Sequence, residues 1–529
     1  MLQGQRETLV KKLYYGGPVV TMTKPHYAEA LLTDGGKILA VGKKDELRAL
    51  APDAALFDLE GRALLPGFID PHSHFTSYSL NLTCCRVYGE DSVDGIVRRI
   101  RAYIEEKKPE KGSFIKVRGY DNTLLPGRRH LTLAELDSTA PGYALCVSHT
   151  TGHLGLLNSE AMRRFGISAE TPDPAGGRIL REDGKPNGVF EESGYSFFVN
   201  QLPPAGPEEI KNALVEGQKK YASYGITTAQ DGMLSGRGLE AYARLYREGG
   251  LFLDVFGNVS AGKRDELLSL YRPGDTGGKL HLISQKSLLD GSPQLRTAWM
   301  SRPYIGGDCY HESVSDEWLT GAMEGAAGAG LQVLCHCNGD AAIEQFLRCA
   351  ETVERKTPRF KELRPVIIHA QFMRQDQLER AAALGVIPSF FAAHVYRWGD
   401  VHLANLGFER ASRCSPAASA LKLGLPFTFH QDSPVIEPDM IETLWCACCR
   451  LTKSGVRFEE AISVYDALRA VTVNAAYQYF EEDKKGALAP GMDADFVILS
   501  ADPLDTLPED LRSLRVEATV KAGETVFSA

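Results

Sequence analysis

The chain has 529 residues, 43% hydrophobic and 24% charged, with 59 basic against 68 acidic side chains and a net charge of −9. This composition excludes disordered and fibrous proteins, and the acidic balance argues against a general nucleic-acid binder, which needs a basic face. Eleven cysteines without regular spacing suggest no disulfide framework. No apolar run reaches about 18 residues, and the first residues lack an apolar stretch ending in a cleavage site. A cytoplasmic protein with a small-molecule partner, no nucleic acid and no membrane span is expected, and a homodimer is allowed.

Residues 1–65 read as strands and turns, with two apolar runs within 28–41 flanking Asp34, Gly35 and Gly36, a hairpin signal. Strand-like runs then alternate with helical stretches at 64–70, 144–148, 226–230, 251–257, 282–288, 331–335, 365–368, 385–391 and 426–429. Such alternation predicts a parallel α/β architecture. A closed barrel needs eight strands, so one of these nine belongs to an insertion, placed around 144–200, where the Gly- and Pro-rich segment 171–188 should break regular structure. The tail returns to strands at 494–499 and 516–520. Two β segments at opposite ends, each too small to bury a core, are expected to pair. The predicted fold is therefore a (β/α)8 TIM barrel over 66–482 with a small β-sandwich domain built from 1–65 and 483–529.

Chemistry concentrates at the predicted strand ends. In LLPGFIDPHSH (64–74), His72 and His74 are two apart, so an extended backbone turns both imidazoles to one side. With 13 histidines in the chain, a chance His-x-His is expected about 0.3 times, so the pair needs support. His336 follows 331–335, His369 follows 366–368, and Asp432 follows 427–431. In a barrel, that end of each strand is where functional groups converge, and imidazoles with a carboxylate suit zinc or a similar divalent ion. A single histidine after a strand is more often structural; the same placement on several successive strands is not. Lys286 sits within an otherwise β-like run, where it is either a snorkelling edge lysine or a barrel lysine able to become a carbamate that bridges two metals.

These segments together resemble the amidohydrolase superfamily, and specifically its YtcJ-like branch, which includes the N-substituted formamide deformylases. The resemblance rests on LLPGFIDPHSH, SQKSLLDGSPQLRTA (284–298), CHCNGD (335–340), IIHAQ (367–371), FTFHQDSPV (427–435), VTVNAAY (471–477) and GALAPGMDADFVILSADPL (486–504). It implies a metal-bearing barrel in which His72, His74 and Asp432 hold one ion, Lys286 is an N6-carboxylated bridge, and His336 and His369 hold a second. It also implies a hydrolase of a non-peptide carbon–nitrogen bond that uses a metal-activated hydroxide, with Asp432 as general base and then general acid. Two departures stand out: His-Gln-Asp at 430–432, where relatives carry a small residue before the aspartate, and Ile368, where relatives often have an acidic residue before the histidine. The second removes a partner that would orient His369.

Other residues are weaker candidates. His153 or His394 could polarise a substrate carbonyl, and each is as readily structural. Asp231, Phe390 and Trp398 are expected to line the substrate pocket, whereas the Cys-x-x-Cys spacing at 446–449 lies in a helical apolar stretch and reads as core. Two rival functions keep the same fold. A ring-amine deaminase would carry a glutamate three residues after the fifth-strand histidine, where this chain has Gly339, and a non-catalytic scaffold would have lost ligands that are all present here.

Overall fold

Apolar runs bounded by turn residues form three sheets in the computed structural model, which describes residues 11–149, 154–174, 177–202 and 204–529. Two compact units contain them: Met1–Thr76 with Gly217–Ala529, and Ser77–Glu216.

Within the first unit, both ends of the chain enter one eight-stranded sheet. Its order runs Glu524–Ser528, Val516–Lys521, Phe496–Leu499, Ala63–Pro66, Lys12–Val20, Tyr27–Asp34 and Lys37–Gly42, with Ala55–Asp58 also paired to Lys12–Val20. The termini therefore meet, and the antiparallel register of Val497 on Leu65 is one of the seams. Gly35 (φ 58°) and Gly36 (φ 83°) make the predicted hairpin turn at a left-handed conformation that glycine adopts without penalty. Tyr14, Val19, Leu31, Leu64, Phe496 and Val520 form the apolar core on this sheet.

The second sheet of this unit is the barrel sheet. Its eight strands, all paired in parallel and in chain order, are β1 (Phe68–Ile69), β2 (Ile226–Asp231), β3 (Asp254–Ser260), β4 (Leu280–Leu288), β5 (Gln332–Cys337), β6 (Val366–His369), β7 (Ile387–Phe390) and β8 (Thr428–Phe429). Eight of the nine predicted runs supply these strands. The run predicted at 64–70 is not one strand: it breaks at Gly67, its first part joining the terminal sheet and its second starting the barrel. A Cβ on Gly67 would lie 2.4 Å from Thr227 Cγ2, so only glycine fits this crossing point. The run predicted at 251–257 begins later, at Asp254.

The ninth run, Ala144–His149, belongs to the second unit, in a six-stranded sheet with Gly177–Glu182, Lys185–Glu192, Leu154–Leu157, Phe114–Tyr120 and Cys85–Arg86. The segment expected as an insertion at 144–200 lies inside this unit, which also takes in 77–143 and 201–216. Ile96, Ile100, Val117, Tyr120, Val147 and Leu156 pack its core. The Gly- and Pro-rich segment expected to be irregular contains a hairpin, because Asp183 (φ 49°) and Gly184 (φ 77°) supply the two positive φ angles of a tight turn between paired strands. Among the described residues, no helix is long and apolar enough to cross a membrane. The helix Met440–Cys449 is buried along its length, so Cys446 and Cys449 are core residues as expected.

Candidate metal centre and active site

His72, His74, Lys286, His336, His369 and Asp432 all stand near the C-terminal ends of barrel strands, Lys286 and His336 within them, and the structure brings them together. Lys286 Nζ lies 3.1 Å from His72 Nε2 and 3.3 Å from His74 Nε2. Asp432 Oδ1 lies 3.2 Å from His72 Nε2 and 3.6 Å from His74 Nε2, and Asp432 Oδ2 is 3.9 Å from His369 Nε2. His369 Nε2 is in turn 3.0 Å from His336 Nδ1. Donor atoms of His72, His369 and Asp432 lie within 4.8 Å of one another. His336 lies within β5, one position before its end, not after the strand as expected. His369 (φ 73°), Ala370 (φ 44°) and Asp432 (φ 53°) have left-handed backbones, which are uncommon for side-chain-bearing residues.

Proton placement on the rings follows from their outer partners. His72 Nδ1 is 2.5 Å from Gln230 Oε1, an acceptor, so Nδ1 carries the hydrogen and Nε2 faces Asp432 as a lone pair. Gln230 is itself held by Asn258 Nδ2, which donates to the same oxygen at 2.9 Å. His74 Nδ1 donates to the Gly232 carbonyl at 3.1 Å, leaving His74 Nε2 bare, whereas His336 Nε2 lies 3.1 Å from the Gly291 carbonyl and 3.0 Å from the donor Asn338 Nδ2, so its outer partners do not fix its hydrogen. Burial pulls the His74 pKa down to about 3 and that of His336 to about 4, and takes His72 and His369 well below the usual imidazole value. The rings are therefore neutral at neutral pH. Burial also draws the Lys286 pKa down to about 8, against the pull of Asp432.

This arrangement fits a cation. Asp432 Oδ1 is buried without a hydrogen-bond partner among the described residues, and the imidazole lone pairs around it have no hydrogens to offer. Converging acceptors repel one another unless a positive charge is shared between them.

The remaining predicted residues fall in different places. His394 is buried and packs on Phe391 (ring centroids 4.6 Å) and Trp398 (4.6 Å), with its Nδ1 3.2 Å from His402 Nε2. His153 lies outside the described residues. Asp231 does not present its carboxylate to a pocket. The Thr76 amide donates to it at 3.1 Å and the Tyr242 hydroxyl at 2.9 Å, with the Thr76 hydroxyl as a further donor. Phe390 is likewise a correction: fully buried, it packs on Phe427 with centroids 5.8 Å apart, and its neighbour Phe391 is the ring that meets His430, His394 and Trp398.

Sequence reasoning missed three contributors. Gln230 and the Gly232 carbonyl carry no local signal, since their role depends on which part of β2 passes behind β1. His430 had one: it lies two residues before Asp432, the same spacing that relates His72 to His74. His430 Nε2 lies 3.1 Å from His369 Nδ1.

A family model described as "Amidohydrolase family" matches residues 55–527, which takes in the whole barrel sheet and all six clustered residues. The chain belongs to the amidohydrolase family. It is 26% identical to N-substituted formamide deformylase of Arthrobacter pascens over 94% of each chain. To a Bacillus subtilis protein named amidohydrolase YtcJ it is also 26% identical, over 98% of this chain and 99% of that one. These relatives place this amidohydrolase-family chain in the YtcJ-like branch. A metal-dependent hydrolase from Pyrococcus furiosus, itself uncharacterised, has the same fold, with a TM-score of 0.77 at 24% identity over 94% of this chain and all of that one.

Proposed function

We propose that the chain is a metal-dependent hydrolase of a non-peptide carbon–nitrogen bond in a small amide-type substrate. The observation that carries this reading is the convergence of bare imidazole nitrogens on an unpartnered buried Asp432 oxygen. His72, His74 and Asp432 would hold one divalent ion and His336 and His369 a second, zinc being the first candidate for imidazole and carboxylate donors. Such an ion, when bound, lowers the pKa of water toward 7 and polarises a carbonyl.

The chain's own residues supply the rest. Asp432 accepts the proton of the attacking water and returns it to the leaving nitrogen. His394, held by His402 at one ring nitrogen, offers the other to the substrate carbonyl. Phe391 and Trp398 wall the approach to that group. Lys286, drawn toward its neutral form by burial, is the nucleophile that adds to carbon dioxide. The new N–C bond forms as one C–O π bond of carbon dioxide opens and a proton passes from Nζ to water, and the resulting carbamate would place a carboxylate beside His72 and His74. Ring-amine deamination is the weaker reading on a specific ground. A Cβ at Gly339 would sit 1.9 Å from the Trp299 carbonyl oxygen, so the glutamate that reaction needs has no room.

Metal analysis of the purified protein, with an activity screen over N-formyl, N-acyl and cyclic amides, tests the proposal. Metal that binds the native chain and is lost with His72→Ala, together with turnover of at least one amide class, is the expected result. No bound metal after reconstitution and no hydrolysis in any class overturns it.

A further inference from the structure

His369 has one ring hydrogen and two neighbours that compete for it: His336 Nδ1 at 3.0 Å from Nε2, and His430 Nε2 at 3.1 Å from Nδ1. The choice is settled away from the barrel mouth. Gln478, at the end of the helix Val473–Gln478, donates from Nε2 to the Pro71 carbonyl at 3.0 Å, which orients its amide and leaves Oε1 as an acceptor. The Thr428 hydroxyl lies 2.8 Å from that Oε1 and 2.9 Å from Ser389 Oγ. A hydroxyl has one hydrogen, and Oε1 can only accept, so Thr428 donates to Gln478 and accepts from Ser389. Ser389 then has only lone pairs for His430 Nδ1, 3.0 Å away. His430 must carry its hydrogen on Nδ1, its Nε2 is bare, and His369 must donate from Nδ1. What remains on His369 is the Nε2 lone pair, aimed at His336 and Asp432. Ser389, Thr428, His430 and Gln478 are each 0% exposed, so bulk solvent offers no competing partner.

We infer that this one-way hydrogen-bond chain from His369 through His430, Ser389 and Thr428 to Gln478 sets the tautomer and orientation of His369, with His430 as the positioning residue through which it acts. The inference rests on the reading of His369 as a metal ligand only for its consequence, cation affinity; the tautomer itself follows from the hydrogen bonds. His430 touches no donor atom of the first pair of histidines other than through packing, its ring centroid lying 5.2 Å from that of His72. Partners that orient metal-bound histidines are worth about 10–100-fold in affinity.

The test uses the full-length protein labelled with nitrogen-15 in histidine. In the metal-free state, His369 is expected as the Nδ1–H tautomer. Thr428→Val, which removes the acceptor for Ser389 at almost constant volume, lets Ser389 donate to His430 and should shift His369 toward Nε2–H. Zinc and cobalt affinities, from competition with a chelator, are expected to fall about 10–100-fold in His430→Phe. His430→Gln, whose amide can accept from His369 and donate to Ser389, should recover most of that loss. Thermal melting identifies any variant that fails to fold, and Thr428→Val and His430→Gln are the mild changes that keep the test decisive. An Nε2–H His369 in the native chain, or His430→Phe binding zinc as the native chain does while His369→Ala loses it, overturns the inference. If His369→Ala leaves zinc binding intact, the ligand reading fails instead, and the tautomer measurement still decides the hydrogen-bond chain.

Discussion

Two clusters of buried polar groups lie at opposite ends of the barrel strands, and they accommodate burial in different ways. At the start of β3, Asp254 meets Lys521 Nζ at 2.5 Å and Lys485, and Lys521 also meets Asp495 at 2.5 Å. Here each buried charge has an opposite partner, and Lys279 adds a half-exposed contact at 3.1 Å. At the C-terminal ends the balance is missing. Imidazole lone pairs and Asp432 oxygens converge on one another, and Lys286 is the single cation among the clustered side chains. The floor cluster joins strands of the terminal sheet to β3 and is complete in itself; the mouth cluster is arranged around a charge the chain does not fully supply. Which buried polar cluster is a site is decided by this difference and not by burial, which both share.

Paired substitutions should separate the two most strongly. Asp432→Asn is expected to lower kcat roughly 10²–10⁴-fold, the range for loss of a general base. It should leave the metal-free protein as stable or slightly more so, since it removes a charge from a crowd of acceptors. Asp254→Asn should do the reverse. It leaves Lys485 buried without its carboxylate and Lys521 with Asp495 alone, at a cost of about 3–5 kcal/mol, while the protein that remains folded keeps its kcat. Denaturant titration and steady-state kinetics on both variants check this, and a loss of kcat in Asp254→Asn would break the distinction.

The floor cluster also predicts a pH dependence of stability. Its lysines hold Asp254 well below the usual carboxylate range, so its stabilisation is complete above the unfolded pKa of about 3.9 and is lost as pH falls through the folded value. Lys521 is shifted upward by Asp495 and Asp254, although burial opposes it. Its stabilisation is complete below about 10.4 and is lost as pH rises above that. Urea midpoints should therefore hold between these limits and drop at either side, and Asp254→Asn should flatten the acid limb.

Much of this was legible because barrel strands are buried on both faces and read as short apolar runs. A polar residue at the end of such a run is conspicuous, which is why His369, Asp432 and the odd Lys286 could be picked out. The meeting of the termini was legible from size alone. Less legible was whatever depends on one chain segment passing behind another. Gln230 orients His72 across 158 positions of sequence, and no periodicity within 226–231 announces that. The extent of the second unit was hidden for a related reason: Cys85–Arg86 is a two-residue strand and gives no pattern to read.

Phe390 and Phe391 give the smallest and most diagnostic difference. In a strand, alternate side chains face opposite sides. Ser389 turns inward to His430, at 3.0 Å, so Phe390 must point outward to the helix layer, where it meets Phe427. Phe391, two on from Ser389, keeps that inward side just past the strand end and lies over His430 at 5.4 Å. Phe390→Leu should therefore cost about 1 kcal/mol of stability with KM unchanged. Phe391→Leu should raise KM severalfold, through loss of ring contacts worth ~0.5–1.5 kcal/mol, with the smaller stability change of the two. An equal KM effect from both would mean that strand parity does not govern which ring faces the pocket, and the wall of the proposed site would have to be drawn from β7 itself.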